Sequence, residues 1–87
     1  MFKGTTSSGF AFELNEDVLD DYELLESLRK LDKGDGEYAV DVVEQLLGEE
    51  QKERLKKHLR NENGKVSAKK LMEEIGEIFN ACNPVKN

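Results

Sequence analysis

The apolar residues between positions 71 and 82 recur at helical spacing and constrain the fold more than any other feature of the chain. They form its strongest apolar stripe, which consists of Leu71, Met72, Ile75, Ile78, Phe79 and Cys82. Ser67 is placed to cap the start of this helix, and Asn83-Pro84 to end it. Gly76 inside the helix costs about 1 kcal/mol relative to alanine, which suggests a close crossing with another helix.

A first helix is predicted to begin at Asp20. Glu23 follows three residues later, which is a capping-box arrangement, and Leu19 and Leu24 occupy the two positions of a hydrophobic staple. The buried stripe of this helix consists of Leu24, Leu25, Leu28 and Leu31. The segment 32–36 contains two glycines within three residues and should end the helix.

Two further helices are predicted on either side of Gly48. The second helix has one apolar face, made of Ala39, Val42, Val43, Leu46 and Leu47. Gly48 should stop it, and Glu49 and Glu50 should open a third helix that ends near Arg60. Because only Leu55 and Leu59 are apolar in that third helix, it is predicted to lie at the surface.

The N-terminal segment has the alternating pattern of a half-buried strand. Phe10, Phe12 and Leu14 alternate with less apolar residues. Segment 7–9, Ser-Ser-Gly, is typical of a turn, and segment 2–5 can supply the partner strand of a hairpin.

Together these elements predict one mainly all-α domain over residues 1–87, since a chain of 87 residues can close only one core. A short β-hairpin or single strand should occupy residues 1–14, and four helices residues 20–82. The core is predicted to come from the first, second and fourth helices. An EF-hand-like helix pair with extra elements is the alternative fold.

The charge balance bears on the kind of partner. The chain has 19 acidic and 13 basic side chains and a formal net charge of -6. Nucleic-acid binding depends on clustered Lys and Arg, so no nucleic-acid partner is expected. No segment approaches the apolar length of a membrane span or a signal peptide. With a single cysteine, Cys82, no internal disulfide can form, and we expect a cytoplasmic protein without a membrane partner.

No catalytic, cofactor or metal site is predicted. The loop around Asn61, Asn63 and Gly64 resembles a calcium-binding loop, but Leu59 and Lys70 stand at its first and twelfth positions, where calcium needs carboxylates. His58 has no neighbouring metal ligands in the sequence, and its basic setting favours a solvated or helix-dipole role.

The N-terminal segment is predicted to be the element that docks a partner protein. Phe2, Phe10 and Phe12 lie outside the helices, and the outer edge of a hairpin leaves backbone groups unpaired, which permits strand addition. The alternative is that Phe10 and Phe12 fold back on the helices as a lid over the core.

The sequence also resembles a family of small tail assembly chaperones from viruses and prophages of Gram-positive bacteria. The matching features span about residues 10–81 and are Leu19-Asp20-Asp21 before a Leu-rich helix, Leu46-Leu47-Gly48-Glu49-Glu50-Gln51, the Asn63-Gly64 turn, and Ser67-Ala68 at the last helix. The resemblance implies a non-enzymatic role between the tape measure protein and the major tail protein during tail assembly. It also implies action in the bacterial host's cytoplasm, without inclusion in the finished particle.

A second function hypothesis comes from the charge. An acidic adaptor, or a regulatory protein of a mobile element that mimics DNA, would also be small, acidic and non-catalytic. That role requires carboxylates concentrated on one face, whereas Lys and Arg interrupt them along the third predicted helix. Self-association of the chain is left open by the sequence.

Overall fold

The computed structural model describes residues 1–82. Its elements, in chain order, are β1 (Phe2–Thr5), β2 (Ala11–Leu14), α1 (Glu16–Leu19), α2 (Tyr22–Asp32), α3 (Tyr38–Leu59) and α4 (Ala68–Cys82). Over this part of the chain the fold is a small, mainly helical domain of four helices preceded by a two-stranded hairpin, as the sequence predicts. None of the helices in this range is long and apolar enough to cross a membrane.

The hairpin is antiparallel, and Gly4 lies opposite Phe12 in its register. A Cβ atom at Gly4 would lie 2.8 Å from the Phe12 ring, so only glycine leaves room for that ring over β1. The turn is closed by the Thr6 N–H, which donates to the Phe10 carbonyl at 2.9 Å, and Gly9 within it has a φ of 96°. Positive φ is readily adopted by glycine.

The start of α2 differs from the prediction by one residue. Asp21, rather than Asp20, caps this helix, and its Oδ1 accepts a hydrogen bond from the Glu23 N–H at 2.9 Å. The reason is α1, a short helix that the sequence analysis did not predict. Asp20 is the C-cap of α1, and its N–H donates to the Asp17 carbonyl at 3.2 Å, so it cannot also begin α2.

The predicted break at Gly48 is present as a kink inside α3. Gly48 has a φ of 79° and a ψ of 169°, which are non-helical values, and helical residues continue on both sides. The segment after the kink differs from the prediction, because Leu55 is fully buried and Leu59 packs against the core. Its polar face is exposed, but this segment contributes to the core.

The core draws on the hairpin as well as on the helices. Its buried apolar residues are Phe10, Phe12, Leu14, Leu24, Val42, Val43, Leu46, Leu47, Leu55, Ile75, Ile78 and Cys82. The prediction that the first, second and fourth helices alone build the core is therefore incomplete. The alternation in β2 turns two large side chains, Phe12 and Leu14, to one face, and that face is covered by the helices.

The beginning of α4 agrees with the predicted cap. The Ser67 hydroxyl accepts a hydrogen bond from the Lys70 N–H at 3.2 Å. The predicted stop at Asn83-Pro84 lies outside the described residues. The close helix crossing suggested by Gly76 is not found within residues 1–82, because a Cβ atom there would meet nothing within 4 Å.

Candidate functional site

The three phenylalanines predicted to dock a partner lie in or against the core. Phe10 and Phe12 are each 4% exposed, and Phe2 is half-buried against the same cluster. The Arg54 guanidinium lies over the Phe10 ring, 5.2 Å from its centre, and the His58 ring centre lies 5.7 Å away. The rings of Phe10 and Phe12 thus form a lid, the alternative arrangement, and do not present an apolar surface to a partner.

A buried hydrogen bond fastens the hairpin turn to α4. The Thr6 hydroxyl donates to Glu74 Oε1 at 2.7 Å, and the same oxygen of Thr6 accepts from the Phe10 N–H at 3.1 Å. Thr6 and Glu74 are both only 5% exposed. A carboxylate so far removed from water needs such partners, so this contact ties the turn to one position on α4.

Exposed contacts of the next two residues, Ser7 and Ser8, continue the attachment. The Ser7 N–H and hydroxyl donate to the two carboxylate oxygens of Glu77, at 2.5 and 3.0 Å. The Ser8 hydroxyl lies 3.1 Å from His58 Nε2. The sequence favours a solvated or helix-dipole role for His58 and does not reveal this contact, because Ser8 stands 50 positions away in the chain.

The outer edge of β2 is covered by side chains of α3. The Gln51 amide exchanges two hydrogen bonds with the backbone of Glu13, both at 2.7 Å, in the manner of a neighbouring strand. Arg54 donates to the Ala11 carbonyl at 3.4 Å. This edge is therefore blocked to any further strand.

The outer edge of β1 is open. Because Thr6 and Phe10 are a hydrogen-bonded pair, alternation along the ladder turns the backbone N–H and C=O groups of Lys3 and Thr5 away from β2. Within residues 1–82 these groups have no hydrogen-bond partner. This edge retains the strand-addition chemistry that the sequence analysis predicted, and partner docking there stays a prediction.

An apolar groove runs between α2 and α4, both of which pack against α3. We call it the α2–α4 groove. It has a volume of about 540 Å³ and is lined by Leu25, Leu28, Arg29, Leu31, Asp32, Met72, Ile75, Gly76, Phe79 and Asn80. Most of these side chains are apolar, so the groove is suited to apolar side chains of another molecule.

A smaller apolar pocket adjoins it at Met72. This pocket measures about 300 Å³ and is lined by Ala39, Val40, Val43, Lys52, Lys56, Val66, Ala68, Leu71 and Met72. Met72 therefore separates two apolar depressions. Methionine is flexible and adapts to differently shaped neighbours, which suits a surface that accepts varied side chains.

Large apolar side chains that remain exposed in the helices lie near these depressions. Leu25 in the α2–α4 groove is 46% exposed, and Val40 at the smaller pocket is 63% exposed. Tyr22, 72% exposed, precedes Leu25 by three positions and so lies on the same face of α2. Exposed apolar surface that is clustered in this way is typical of interaction sites.

Ion pairs are unevenly distributed over the surface. Lys52 lies within 4 Å of Glu44, Glu49 and Glu53, and the hydrogen bond to Glu49 raises the pKa of its ammonium group. By contrast, five carboxylates that precede or begin α2 form no ion pair within residues 1–82, namely Asp17, Asp20, Asp21, Glu23 and Glu26. The start of α2 therefore carries a concentration of negative charge.

The loop that resembles a calcium site is a hydrogen-bonded turn. Asn61 Oδ1 accepts from the backbone N–H groups of Asn63 and Lys65, at 2.9 and 3.0 Å. Residues 1–82 contain no group of three or more His, Cys, Asp or Glu side chains that could hold a metal ion. Cys82 is buried, and burial raises the pKa of its thiol, which disfavours the reactive thiolate.

Comparison with known proteins places the chain in no group: no family model, no curated protein and no solved structure matches it. The class defined by the fold is a small, mainly helical domain whose N-terminal hairpin completes the core.

Proposed function

We propose that this protein is a non-catalytic tail assembly chaperone of a bacterial virus or prophage, which binds the tape measure protein, the major tail protein or both. Two things support the proposal. The sequence resembles that family over most of its length, through features such as Leu46-Leu47-Gly48-Glu49-Glu50-Gln51. The single observation that carries a binding role is the α2–α4 groove, an apolar surface open to solvent.

Such a chaperone would cover apolar segments of the tail subunits before they assemble. Tail subunits awaiting assembly expose apolar segments that would otherwise aggregate. The groove offers replacement contacts, and the net charge of -6 keeps the complex soluble. Release on assembly requires only moderate affinity. In this proposal the protein acts in the host cytoplasm and leaves before the particle is complete.

Co-expression with the tail proteins tests the proposal. The tape measure protein and the major tail protein from the same genome should each be produced with and without this chain, and the soluble fraction and co-purification of each measured. We expect at least one of them to become soluble and to co-purify. A small acidic helical protein of unrelated sequence is the control for unspecific solubilisation. Equal insolubility of both tail proteins with and without the chain would rule the proposal out.

The second candidate, an acidic adaptor or DNA mimic, is favoured by one specific observation. The five carboxylates between Asp17 and Glu26 form no ion pair within residues 1–82, so they concentrate negative charge at one end of the helical region. This function predicts binding to a DNA-binding protein that weakens steeply as salt rises. Binding to tail proteins that persists at high salt would favour the chaperone instead.

A further inference from the structure

Gly76 is the residue of α4 that internal packing does not explain. Glycine inside a helix is less favourable than alanine. At Gly76 the backbone is helical, and a Cβ atom would meet nothing within 4 Å. Because Gly76 lines the α2–α4 groove, the missing side chain leaves room for another backbone to approach α4 closely.

The shape of the groove favours a helical occupant. Its walls are two helices, α2 and α4, and the stretch of α4 from Met72 to Asn80 is roughly 12 Å long, about two helical turns. Helix walls offer no unpaired backbone groups with which an extended strand could hydrogen-bond. A helix satisfies its own backbone and can insert apolar side chains between α2 and α4.

The charge next to the groove specifies the flanks of that helix. Residues 15–28 contain no Lys or Arg, and Glu26 lies one helical turn after Tyr22 on α2. Arg29 and Asp32, further along the same lip, balance each other in charge. An approaching segment therefore meets an apolar floor and, where the chain enters α2, a stretch whose only charges are negative.

We propose that the α2–α4 groove binds an amphipathic helix of another protein, with Lys or Arg residues flanking its apolar stripe and its backbone passing close to Gly76. The identity of that protein as a tail subunit rests on the proposed function, but the chemistry of the helix does not. A second copy of this chain fits less well. Its net charge of -6 would be repelled, and the most apolar faces of its helices are already buried.

Two stapled helical peptides provide the probe. Both carry leucines at i, i+3, i+4 and i+7, and the flanking positions are lysine in one and glutamate in the other. Fluorescence anisotropy should show the lysine peptide binding about tenfold more tightly, since several exposed charge pairs together amount to that ratio. The difference should shrink at high salt. Equal binding of both peptides at low salt, or binding of neither, would overturn the proposal.

Gly76→Leu places a side chain into the groove, and Gly36→Leu is its matched control. Neither glycine has positive φ, and at both a Cβ atom would meet nothing within 4 Å. Gly76→Leu should weaken binding of the lysine peptide at least about tenfold. Gly36→Leu should bind this peptide with the affinity of the parent protein. Circular dichroism melting reports whether each variant folds. If Gly76→Leu unfolds, Leu25→Ser replaces it, with the same loss of peptide binding expected. A folded groove variant with unchanged affinity would contradict the inference.

The two proposals can fail separately. If the lysine peptide does not bind but a tail protein is solubilised, the groove inference fails and the chaperone function stands. If the peptide binds in the groove but neither tail protein is solubilised, the chaperone function fails and the groove inference stands. A dimer in sedimentation experiments that Gly76→Leu dissociates would assign the groove to a second copy and overturn the inference.

Discussion

The hairpin and the α2–α4 groove both place large apolar side chains near the surface, but only those of the hairpin are covered. Phe10 and Phe12 are sealed by helices, and the turn between the strands is held by Glu74 through Thr6. Leu25 in the groove is half exposed, and no side chain within residues 1–82 closes over it. The apolar surface of the hairpin therefore serves the fold, whereas that of the groove stays open among the described residues.

Polar contacts with the helices explain why the two-stranded hairpin is stable in this protein. An isolated two-stranded hairpin is at best marginally stable in water. Here Gln51 supplies β2 with hydrogen bonds that resemble those of a third strand, and Glu77 and His58 hold the turn. The hairpin therefore belongs to the same cooperative unit as the helices. No comparable polar contact bridges α2 and α4 among the described residues.

The largest effect is expected from Phe12→Ala. The ring is 4% exposed and covers Gly4, so its removal should cost about 3–5 kcal/mol of unfolding free energy. Tyr22→Ala, at a side chain that is 72% exposed, should change stability by less than about 0.5 kcal/mol. Urea denaturation followed by circular dichroism measures both. Similar losses in the two variants would show that the hairpin is not part of the core.

Thr6→Val should have the next largest effect. It removes the hydroxyl that donates to buried Glu74 and leaves that carboxylate without this partner, at a cost of about 1–3 kcal/mol. Ser7→Ala is the control, because its bond to Glu77 is exposed. Its loss should be clearly smaller in the same urea titration. If both substitutions cost equally little, the buried contact does not fasten the hairpin.

Local chemistry in the sequence predicted most of the fold. The apolar spacing placed the helices, and the turn chemistry of Gly48, Asn63 and Gly64 placed breaks that the structure contains. Errors arose where two local preferences compete. Asp20 and Asp21 are both good caps, and only the presence of α1 assigns Asp21 to α2.

The candidate site could be predicted less well, because it depends on contacts between distant residues. Leu25 belongs to the same leucine stripe as Leu24, yet Leu24 is fully buried and Leu25 is not. The difference depends on which face of α2 packs against α3, which spacing along one helix does not determine. The sequence shows that Gly76 disfavours the helix, but its position in a groove wall follows only from the fold.

Gly76→Ala should stabilise the protein and weaken binding in the groove. Alanine is better than glycine in a helix, and the added methyl group meets nothing within 4 Å, so stability should rise by up to about 1 kcal/mol. The same methyl group should weaken binding of the lysine peptide. A thermal melt and an anisotropy titration on one preparation measure both effects. A variant that gains stability and keeps full affinity would show that Gly76 is not needed for a close approach.

Thr5→Pro should change stability little, and it tests the open edge of β1. The Thr5 N–H points away from β2 and has no partner within residues 1–82, so a proline there removes no ladder bond and should cost less than about 1 kcal/mol. Ala11→Pro is the matched control, since Ala11 lies directly opposite on the edge that Arg54 and Gln51 cover. If a tail protein adds a strand to β1, Thr5→Pro should abolish its co-purification while Ala11→Pro retains it. If a tail protein uses the α2–α4 groove alone, both proline variants should co-purify with it and Gly76→Leu should not. Loss of the partner in Thr5→Pro but not in Gly76→Leu would therefore move the docking site from the groove to the hairpin edge.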